Sequence, residues 1–506
     1  MPEHLRALVV ILLIASLTFT FAKKAIGPIV SNDRFSQWRN AWFIITLIAF
    51  LAHNFWIYII ASSLFIAFAA KREPNKFALF FALLFVVPSI GSGITGLGAI
   101  NYFFQINHLR VLSLVVLLPA FLSLLTSQNT LKFGKSFPDK LILIYLILII
   151  SLEIRGTSVT DSLRQGLYAF TDIFLPYYVA SRALNHFDRF KEVFSGFVLA
   201  SCLVAAIAVF EFIKGWLLYG ALPTVLGADT VVGVYLMRDS NLRALATLEH
   251  PIALGYVLVV AMGGYLFLKQ FIQSKNAQRA GLLLLTIGLI ATLSRGPWVG
   301  AALLLIIFIA TGPFAIKRLV MLSMVAVVAL PVISVLPGGG RIINLLPVIG
   351  NVERANIDYR EKLLENSIVV IKRNPLLGSV NYYQYPEMQE MIQGQGIIDI
   401  VNTYLQISLK YGLIGLSLFA GFFFVVLSGI HKSRKMISDK TSELYLLGRT
   451  LSAILIAVLV MIFTVSSIGM IPIIYWSFAG LGVAYINMVK RAQDLPQTDI
   501  ATSSAN

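Results

Sequence analysis

An arginine stands in a short turn between two apolar runs, in the segment Thr292-Leu-Ser-Arg-Gly-Pro-Trp298. An arginine near the hydrocarbon boundary costs about 2 to 3 kcal/mol when it is unpaired at depth. Arg295 therefore needs an anionic partner, or its long side chain must reach the aqueous interface. Two interpretations stay open on this segment alone, an anion-binding group and an interfacial anchor beside Trp298.

Two further arginines, Arg238 and Arg243, precede the apolar run that begins at Pro251. When the apolar runs are threaded alternately across a membrane, these arginines face the same side as Arg295. Planar guanidinium groups bind phosphate oxygens bidentately and stay charged at any working pH, so the pair suits a pyrophosphate. The competing interpretation is an exposed loop whose arginines pair with its own acidic residues. His250 is a weaker candidate for chemistry, because a histidine before a proline at a helix start is more often a cap or a packing residue.

The longest polar stretch of the chain, residues 337–402, carries further candidates. It contains Arg360, Asp399 and a group of tyrosines that includes Tyr382 and Tyr383. Tyrosines near carboxylates and amides are typical of sugar sites, where rings stack and hydroxyl groups form hydrogen bonds. Tyrosine is equally common as an anchor at membrane interfaces, so both interpretations stay open.

The composition indicates what must position these residues. Of the 506 residues, 58% are hydrophobic and 13% are charged, and the mean hydropathy is +0.82. These values exclude an ordinary soluble protein and predict an all-α polytopic membrane protein. No polar stretch is large enough for a separate globular domain. We therefore expect one transmembrane domain over 1–490, with the loop 337–402 inserted, and a disordered cytoplasmic tail over 491–506.

About 12 to 14 transmembrane helices are expected. The run Ala41–Ala70 is long for one span and carries His53 and Asn54, so a tilted helix and a tight hairpin are both possible. Within the long loop, charges and apolar residues alternate over 358–372 as in an amphipathic helix, which we expect to lie on the membrane surface. The candidate spans are Leu5–Ala22, Ala41–Ala70, Phe77–Ile90, Val111–Leu125, Leu141–Leu152, Leu167–Ala180, Val193–Ile213, Ile252–Leu268, Gly281–Leu293, Trp298–Ala310, Leu319–Leu336, Tyr404–Ile430, Leu451–Val465 and Ile471–Val489.

The net charge of +16 comes from lysines and arginines in short loops, which is what orientation in a membrane requires, so nucleic acid is not an expected partner. Six basic loops fall on one side, the cytoplasmic one. The segment 23–39 is an exception if the N-terminus is inside. Cys202 is the single cysteine and the histidines are scattered, so we expect no disulfide and no metal site.

Four segments resemble the O-antigen ligase and Wzy-type polymerase superfamily of bacterial envelope enzymes in their order and spacing. The resemblance covers about residues 230–430, whereas the first 190 residues share only hydrophobicity. It implies a fold like that of the GT-C glycosyltransferases and transfer of an undecaprenyl-pyrophosphate-linked glycan to an acceptor sugar hydroxyl, at the periplasmic face of the bacterial inner membrane, without a metal or other cofactor. The segments are Ser294-Arg-Gly296, Asn374-Pro-Leu-Leu-Gly378, Asn402-Thr-Tyr-Leu-Gln406 and Tyr411-Gly-Leu-Ile-Gly-Leu416.

The resemblance also implies roles for single residues. Arg295 matches the family arginine that engages the lipid pyrophosphate, and Arg243 resembles the second one. Ligases of the family carry a histidine just before the Asn-x-Tyr-Leu stretch, where this chain has Val401. Asp399 is our substitute for that base, since a carboxylate partly removed from water is expected to have a raised pKa. Further contacts to the substrate are expected from Arg238, Arg360, Asn402, Tyr382, Tyr383 and His250.

The missing histidine favours a polymerase of exopolysaccharide or O-antigen repeats. An O-antigen ligase or a protein O-oligosaccharyltransferase is the nearest alternative, because these enzymes share donor and fold and differ in acceptor. A lipid-linked-sugar flippase is the alternative from another class; it predicts charged or broken helices at mid-membrane and internal repeats, and neither is evident. Expected partners are the lipid-linked donor, the glycan acceptor, the lipid bilayer, and a chain-length regulator or other assembly protein.

Overall fold

A computed structural model describes residues 1–96, 102–128, 130–156, 158–229, 233–238, 240–335, 354–393 and 396–494. Helices dominate it, with π-helical turns at Ser113–Leu117 and Phe170–Phe174 and 3-10 turns at Lys269–Phe271 and Tyr382–Gln384. The helices and strands are α1 Glu3–Ile26, α2 Asn32–Leu51, α3 Phe55–Arg72, α4 Lys76–Leu83, β1 Gly91–Thr95, β2 Tyr102–Asn107, α5 His108–Leu112, α6 Leu118–Thr126, α7 Phe137–Glu153, α8 Val159–Ala169, α9 Leu175–Arg182, α10 Phe187–Lys214, α11 Leu222–Leu226, β3 Met237–Arg238, β4 Asn241–Leu242, α12 Pro251–Leu268, α13 Lys275–Ala291, α14 Arg295–Ala310, α15 Ala315–Val335, α16 Arg354–Arg373, α17 Pro386–Gln389, α18 Thr403–Lys435, α19 Glu443–Met461 and α20 Ile471–Asp494.

The prediction of an all-α polytopic membrane protein is confirmed. Each of the candidate spans coincides at least partly with a helix. Across the described ranges, eight helices are long and apolar enough to cross a membrane. Three further apolar runs form the shorter helices α7, α13 and α14, of 17, 17 and 16 residues, which is one reason why the eight are fewer than the runs in the sequence.

The long run Ala41–Ala70 forms the tight hairpin of α2 and α3. The chain reverses at His53, whose φ of 48° lies in the left-handed region. The side chain of Asn54 then accepts hydrogen bonds from the amides of Trp56 and Ile57 and caps α3. The two polar residues in the middle of the run thus mark the turn.

The N-terminal segment lies at the end of the bundle opposite to the basic loops. The indole of Trp216 donates to Glu3 over 3.1 Å, and the rings of His4 and His53 are 5.4 Å apart. At the other end, Arg34 forms ion pairs with Glu73 at 2.6 Å and Glu192 at 2.5 Å. The segment 23–39 therefore lies at the same end as the other basic loops. It would be an exception only if the N-terminus lay on their side, whereas α1 starts at the opposite end and runs towards them.

The other basic segments meet at this same end. Arg182 pairs with Asp139 over 2.7 Å, and the tyrosine hydroxyl of Tyr445 donates to Thr311. We call this the basic end, defined by residues 23–39, 71–76, 132–140, 182–191, 269–279, 311–318 and 431–449. The opposite end is called the loop end, and its described residues are 215–229, 233–238, 240–250, 292–297, 354–393, 396–402 and 462–470.

A small β-hairpin at the loop end is absent from the sequence expectations. Strands β1 and β2 pair antiparallel, with Gly91 opposite Asn107. The expected helix Phe77–Ile90 is correspondingly shorter, because α4 ends at Leu83. The hydroxyl of Ser92 donates to Asp229 over 2.5 Å, so the hairpin holds the beginning of the loop that carries the arginines.

Helix α18 is broken at Gly412, where φ is 67° and ψ is −171°. Its 33 residues would extend about 50 Å as one helix, more than the roughly 30 Å of a bilayer core. The amides of Leu413 and Ile414 donate to the carbonyls of Pro375 and Leu376, at 2.8 and 3.2 Å. The Pro-Leu-Leu-Gly step of the long loop thus satisfies the backbone groups that the break exposes.

Helix α16 includes the segment predicted to be an amphipathic helix. Leu363 and Val370 are buried in a small cluster with Met388 and Ile400 of the same loop and Leu409 of α18. A second apolar strip faces outwards, formed by Ile357, Leu364 and Ile368, which are 48, 45 and 41% exposed. Contact of this strip with the membrane surface stays a prediction. Residues 337–353 of the predicted loop lie outside the described residues, as do 495–506 of the predicted tail, whereas 491–494 are helical.

Candidate functional site

Three arginines converge on the turn between α13 and α14. Arg238 donates to the Leu293 carbonyl over 2.5 Å. Arg243 donates to the carbonyl of Thr292 over 3.3 Å and to the hydroxyl of Ser294 over 2.9 Å. Arg295 is the first residue of α14. The structure thus brings together Arg238, Arg243 and Arg295, and we call this group the arginine turn.

Glu211 fixes the backbone beside Arg243. This buried carboxylate near the end of α10 accepts hydrogen bonds from the amides of Leu245 at 3.1 Å, Ala246 at 2.8 Å and Leu218 at 3.0 Å. Three bonds to one carboxylate restrain a segment that has no regular structure of its own. Sequence reasoning missed Glu211, although an acidic residue inside an apolar run is a recognisable signal of function or buried bonding.

Arg360 and Asp399 of the long loop both contact the connection after α19, and Asp399 lies close enough to act on Arg360 electrostatically. Arg360 donates to the carbonyl of Thr464 over 3.4 Å. Burial lowers the pKa of Arg360, and the charge of Asp399 partly offsets that effect. One carboxylate oxygen of Asp399 accepts from the hydroxyl of Ser466 over 3.2 Å, and its carbonyl accepts from Tyr359 over 3.0 Å. Both the side chain and the backbone of Asp399, the candidate base, are therefore held by hydrogen bonds.

The connection 462–470, which we call the hub loop, joins these parts. Besides its contacts with Arg360 and Asp399, its carbonyls of Ile462 and Val465 accept from the amide of Thr403. Its Thr464 hydroxyl would lie 2.7 Å from a Cβ placed on Gly296, so it packs directly on the start of α14. The predicted helix Leu451–Val465 ends earlier, at Met461, and the polar segment after it forms the loop. Sequence reasoning missed it, and its run of Thr464, Ser466, Ser467 and Gly469 was the available signal.

Glu249 is a second carboxylate beside the arginine loop. It adopts φ of 56° and accepts a hydrogen bond from the hydroxyl of Ser89. Its other oxygen lies 3.5 Å from a Cβ placed on Gly469, so Glu249 faces the hub loop. Burial raises the pKa of the Glu249 carboxyl above its usual value. A group with these properties is suited to accept a proton, and sequence reasoning did not single it out.

His250 caps helix α12. Its Nδ1 accepts a hydrogen bond from the amide of Ile252 at 3.2 Å, which leaves the ring proton on Nε2. Burial and the nearby charge of Arg243 lower the pKa of His250 to about 4. His250 is therefore a neutral ring at neutral pH, and it is suited to donate a hydrogen bond from Nε2 rather than to accept a proton there.

The remaining predicted residues contact other parts of the structure. The side chain of Asn402 accepts from the amides of Tyr404 and Leu405 and caps α18. Tyr382 and Tyr383 form part of a 3-10 turn that packs against the end of α7, where Asn381 donates to the Gly156 carbonyl over 3.1 Å. In the described portion of the chain, no hydrogen bond or ion pair joins these two tyrosines to the arginine turn. The structure does not gather them with the arginines.

The arrangement can bind an anion and accept a proton. The guanidinium groups of Arg238 and Arg243 contact the turn just before α14, where the helix end also carries partial positive charge. Asp399 and Glu249 approach the same hub loop from two different loops. Among the residues with described positions, no three histidine, cysteine or acidic side chains lie close enough together to hold a metal ion.

Comparison with known proteins supports the resemblance seen in the motifs. The O-antigen ligase family model matches residues 280–420. This stretch includes Arg295, α16, Asp399 and the broken part of α18. It does not include Arg243, Glu249 or the hub loop. No curated protein matches the chain.

Proposed function

Because residues 280–420 match the O-antigen ligase family, we propose that this chain is a multi-pass membrane glycosyltransferase that polymerises lipid-linked glycan repeats. The donor is an undecaprenyl-pyrophosphate-linked oligosaccharide, and the acceptor is a sugar hydroxyl of a second repeat. The observation that carries the proposal is the convergence of Arg238 and Arg243 on the turn before Arg295. The basic loops at the opposite end support a periplasmic position for this site in the bacterial inner membrane.

The arginines act on the leaving group. As the acceptor oxygen attacks the anomeric carbon, the bond from that carbon to the pyrophosphate oxygen breaks and negative charge grows on the pyrophosphate. Arg295 and Arg243 stabilise this charge, since guanidinium groups held in place before the reaction need no reorganisation during it. Arg238 and Arg360 contribute further positive charge around the same site. Undecaprenyl pyrophosphate then leaves as the second product.

A carboxylate takes the proton of the acceptor hydroxyl. Asp399 is held by Ser466 and lies near Arg360. Glu249 is held by Ser89, and its pKa is raised by burial. A base with a raised pKa is the stronger proton acceptor, provided that it is ionised at the working pH. The pH dependence of the rate in Glu249→Gln and Asp399→Asn distinguishes the two carboxylates.

The test is mass analysis of lipid-linked and polymeric glycan in a deletion strain that expresses Arg243→Ala or Arg295→Ala. We expect single-repeat lipid-linked units to accumulate at the periplasmic face of the membrane, with little polymer formed. The matched control is Arg39→Ala, which removes a partly exposed arginine at the basic end. Long unattached chains would instead indicate a ligase. Accumulation of the lipid-linked units at the cytoplasmic face would indicate a flippase. Normal polymer in both variants would refute the proposed role of the arginines.

A further inference from the structure

Two buried arginines lie near each other at the basic end, one at the end of α18 and one near the start of α19. Arg434 is 8% exposed and Arg449 is 5% exposed. The Cγ atom of Arg434 lies against Gly448, the neighbour of Arg449. The guanidinium of Arg434 lies 5.1 Å from the ring centre of Tyr445, and that of Arg449 lies 4.4 Å from the ring centre of Phe308.

A third arginine adds to the charge of this pair. Arg318 and Arg434 are both close enough to Arg449 to act on it electrostatically. Arg318 is exposed, whereas the other two are buried. The group therefore has a solvent-facing member and two members between the helices. We call Arg318, Arg434 and Arg449 the basic-end cluster.

No acidic side chain compensates the cluster within the described ranges. None of the ion pairs there involves any of its three arginines. The Nε atoms of Arg434 and Arg449 are buried without a hydrogen-bond acceptor. Asp439 of the neighbouring loop accepts instead from the amide and hydroxyl of Thr441.

The backbone compensates only part of this charge. Arg449 donates to the Phe308 carbonyl near the end of α14, where a helix carries about half a negative charge. Arg434 donates to the neutral hydroxyl of Tyr445 over 3.3 Å. Burying an uncompensated charge costs several kcal/mol, so a cluster of this kind is expected to have a bound counter-ion.

We propose that the basic-end cluster binds the phosphate group of an anionic phospholipid. Planar guanidinium groups match phosphate oxygens bidentately, and the hydroxyl of Tyr485, buried without a partner beside Gly448, supplies a further donor. Basic pockets between transmembrane helices on the cytoplasmic side are suited to anionic headgroups. The site is separate from the arginine turn, and its role is to anchor the ends of α14, α18 and α19 to the lipid leaflet.

The test compares the full chain in nanodiscs of phosphatidylcholine alone and with added phosphatidylglycerol, by native mass spectrometry and thermal unfolding. We expect wild-type protein to retain phosphatidylglycerol and to unfold at higher temperature with it. Arg434→Gln and Arg449→Gln should each weaken this binding by roughly fivefold to tenfold. The control is Arg279→Gln, an exposed arginine at the same end, which should keep wild-type binding.

Further arms keep the outcome decisive. Arg434→Lys keeps the charge but loses the planar guanidinium, so it should bind phosphatidylglycerol better than Arg434→Gln and worse than the wild type. This comparison stays informative even if Arg449→Gln fails to fold. Stabilisation by inorganic phosphate in detergent, lost in Arg434→Gln, together with no retention of phosphatidylglycerol by the wild type, would support a phosphate site and overturn its assignment to lipid. Equal retention of phosphatidylglycerol by the wild type and by the variants of Arg434 and Arg449 would overturn the site itself.

Discussion

Arg243 donates a hydrogen bond to the hydroxyl of Ser294 over 2.9 Å, although 51 residues separate them in the chain. A second bond joins Arg243 to the carbonyl of Thr292. The loop before α12 is thereby tied to the turn before Arg295. The position of Arg243 depends on the turn that precedes Arg295. Substitutions of either arginine are therefore expected to affect the same function.

Replacing Arg243 by lysine tests the fork geometry. A lysine keeps the charge, but its donors all lie on one nitrogen, so it cannot reproduce the planar pair of bonds from Nε and Nη2 to Thr292 and Ser294. We expect polymer formation to fall about 100-fold, the lower range for removal of one charge-stabilising donor. Ser294→Ala, which leaves Arg243 in place, should cost about tenfold or less. Rates are measured with purified donor in liposomes; a wild-type rate in Arg243→Lys would contradict the role of the fork.

Replacing Glu211 by glutamine tests how the arginine loop is positioned. Glutamine has one acceptor oxygen in place of two, so one or more of the three backbone amides loses its partner. We expect a loss of about 1 to 3 kcal/mol in stability and reduced polymer formation. Thermal unfolding and glycan analysis measure the two effects. Glu3→Gln, at the same end of the bundle, serves as the control.

The pH dependence of the rate distinguishes the two carboxylates. A general base acts only when it is ionised, so the rate falls as the pH drops through the pKa of that group. Because burial raises the pKa of Glu249, this fall should occur above the usual glutamate value of about 4.3. If Glu249 is the base, Glu249→Gln abolishes most of the rate and Asp399→Asn retains this acid limb. The reverse pattern assigns the proton transfer to Asp399.

Replacing Gly412 by alanine tests the break in α18. A Cβ there would overlap the Leu376 carbonyl, and the left-handed φ of 67° adds strain for any other residue. We expect a stability loss of at least about 1 to 3 kcal/mol and weakened binding of the long loop to α18, seen as faster proteolysis of that loop. Gly421→Ala is the matched control, because a Cβ at Gly421 meets nothing within 4 Å. Equal unfolding temperatures for the two variants would refute this explanation of Gly412.

The sequence predicts those features that local chemistry determines. Apolar runs mark the helices, and Arg238, Arg243 and Arg295 each stand in a connection between two apolar runs, so their common side of the membrane can be inferred. The convergence of Arg238 and Arg243 on the turn before α14 is a tertiary feature. Glu211, which fixes the backbone beside Arg243, accepts from amides more than 30 residues away and leaves no periodic pattern. The contact of Gly378 with Gly412 is likewise a tertiary fact, although both glycines stand in the recognised motifs.

The direction of α1 and the hub loop illustrate the rest. A run of apolar residues has the same pattern in either direction. Only contacts such as that of Trp216 with Glu3 show that α1 starts at the loop end of the bundle. The hub loop follows an apolar run without a charged residue, and its polar residues are short. Its importance comes from the four segments that meet there, which no single stretch of sequence contains.

The position of the hub loop outside residues 280–420 limits how this protein can be recombined with its relatives. A chimera exchanged at those boundaries would carry a foreign Arg295 turn and Asp399 against the resident Thr464, Ser466 and Arg243. Cut points that respect the contacts would transplant 236–250 and 462–470 together with the matched stretch. Transfer of acceptor preference from one homologue to another is therefore expected to require all three segments, 236–250, 280–420 and 462–470, and not the matched stretch alone.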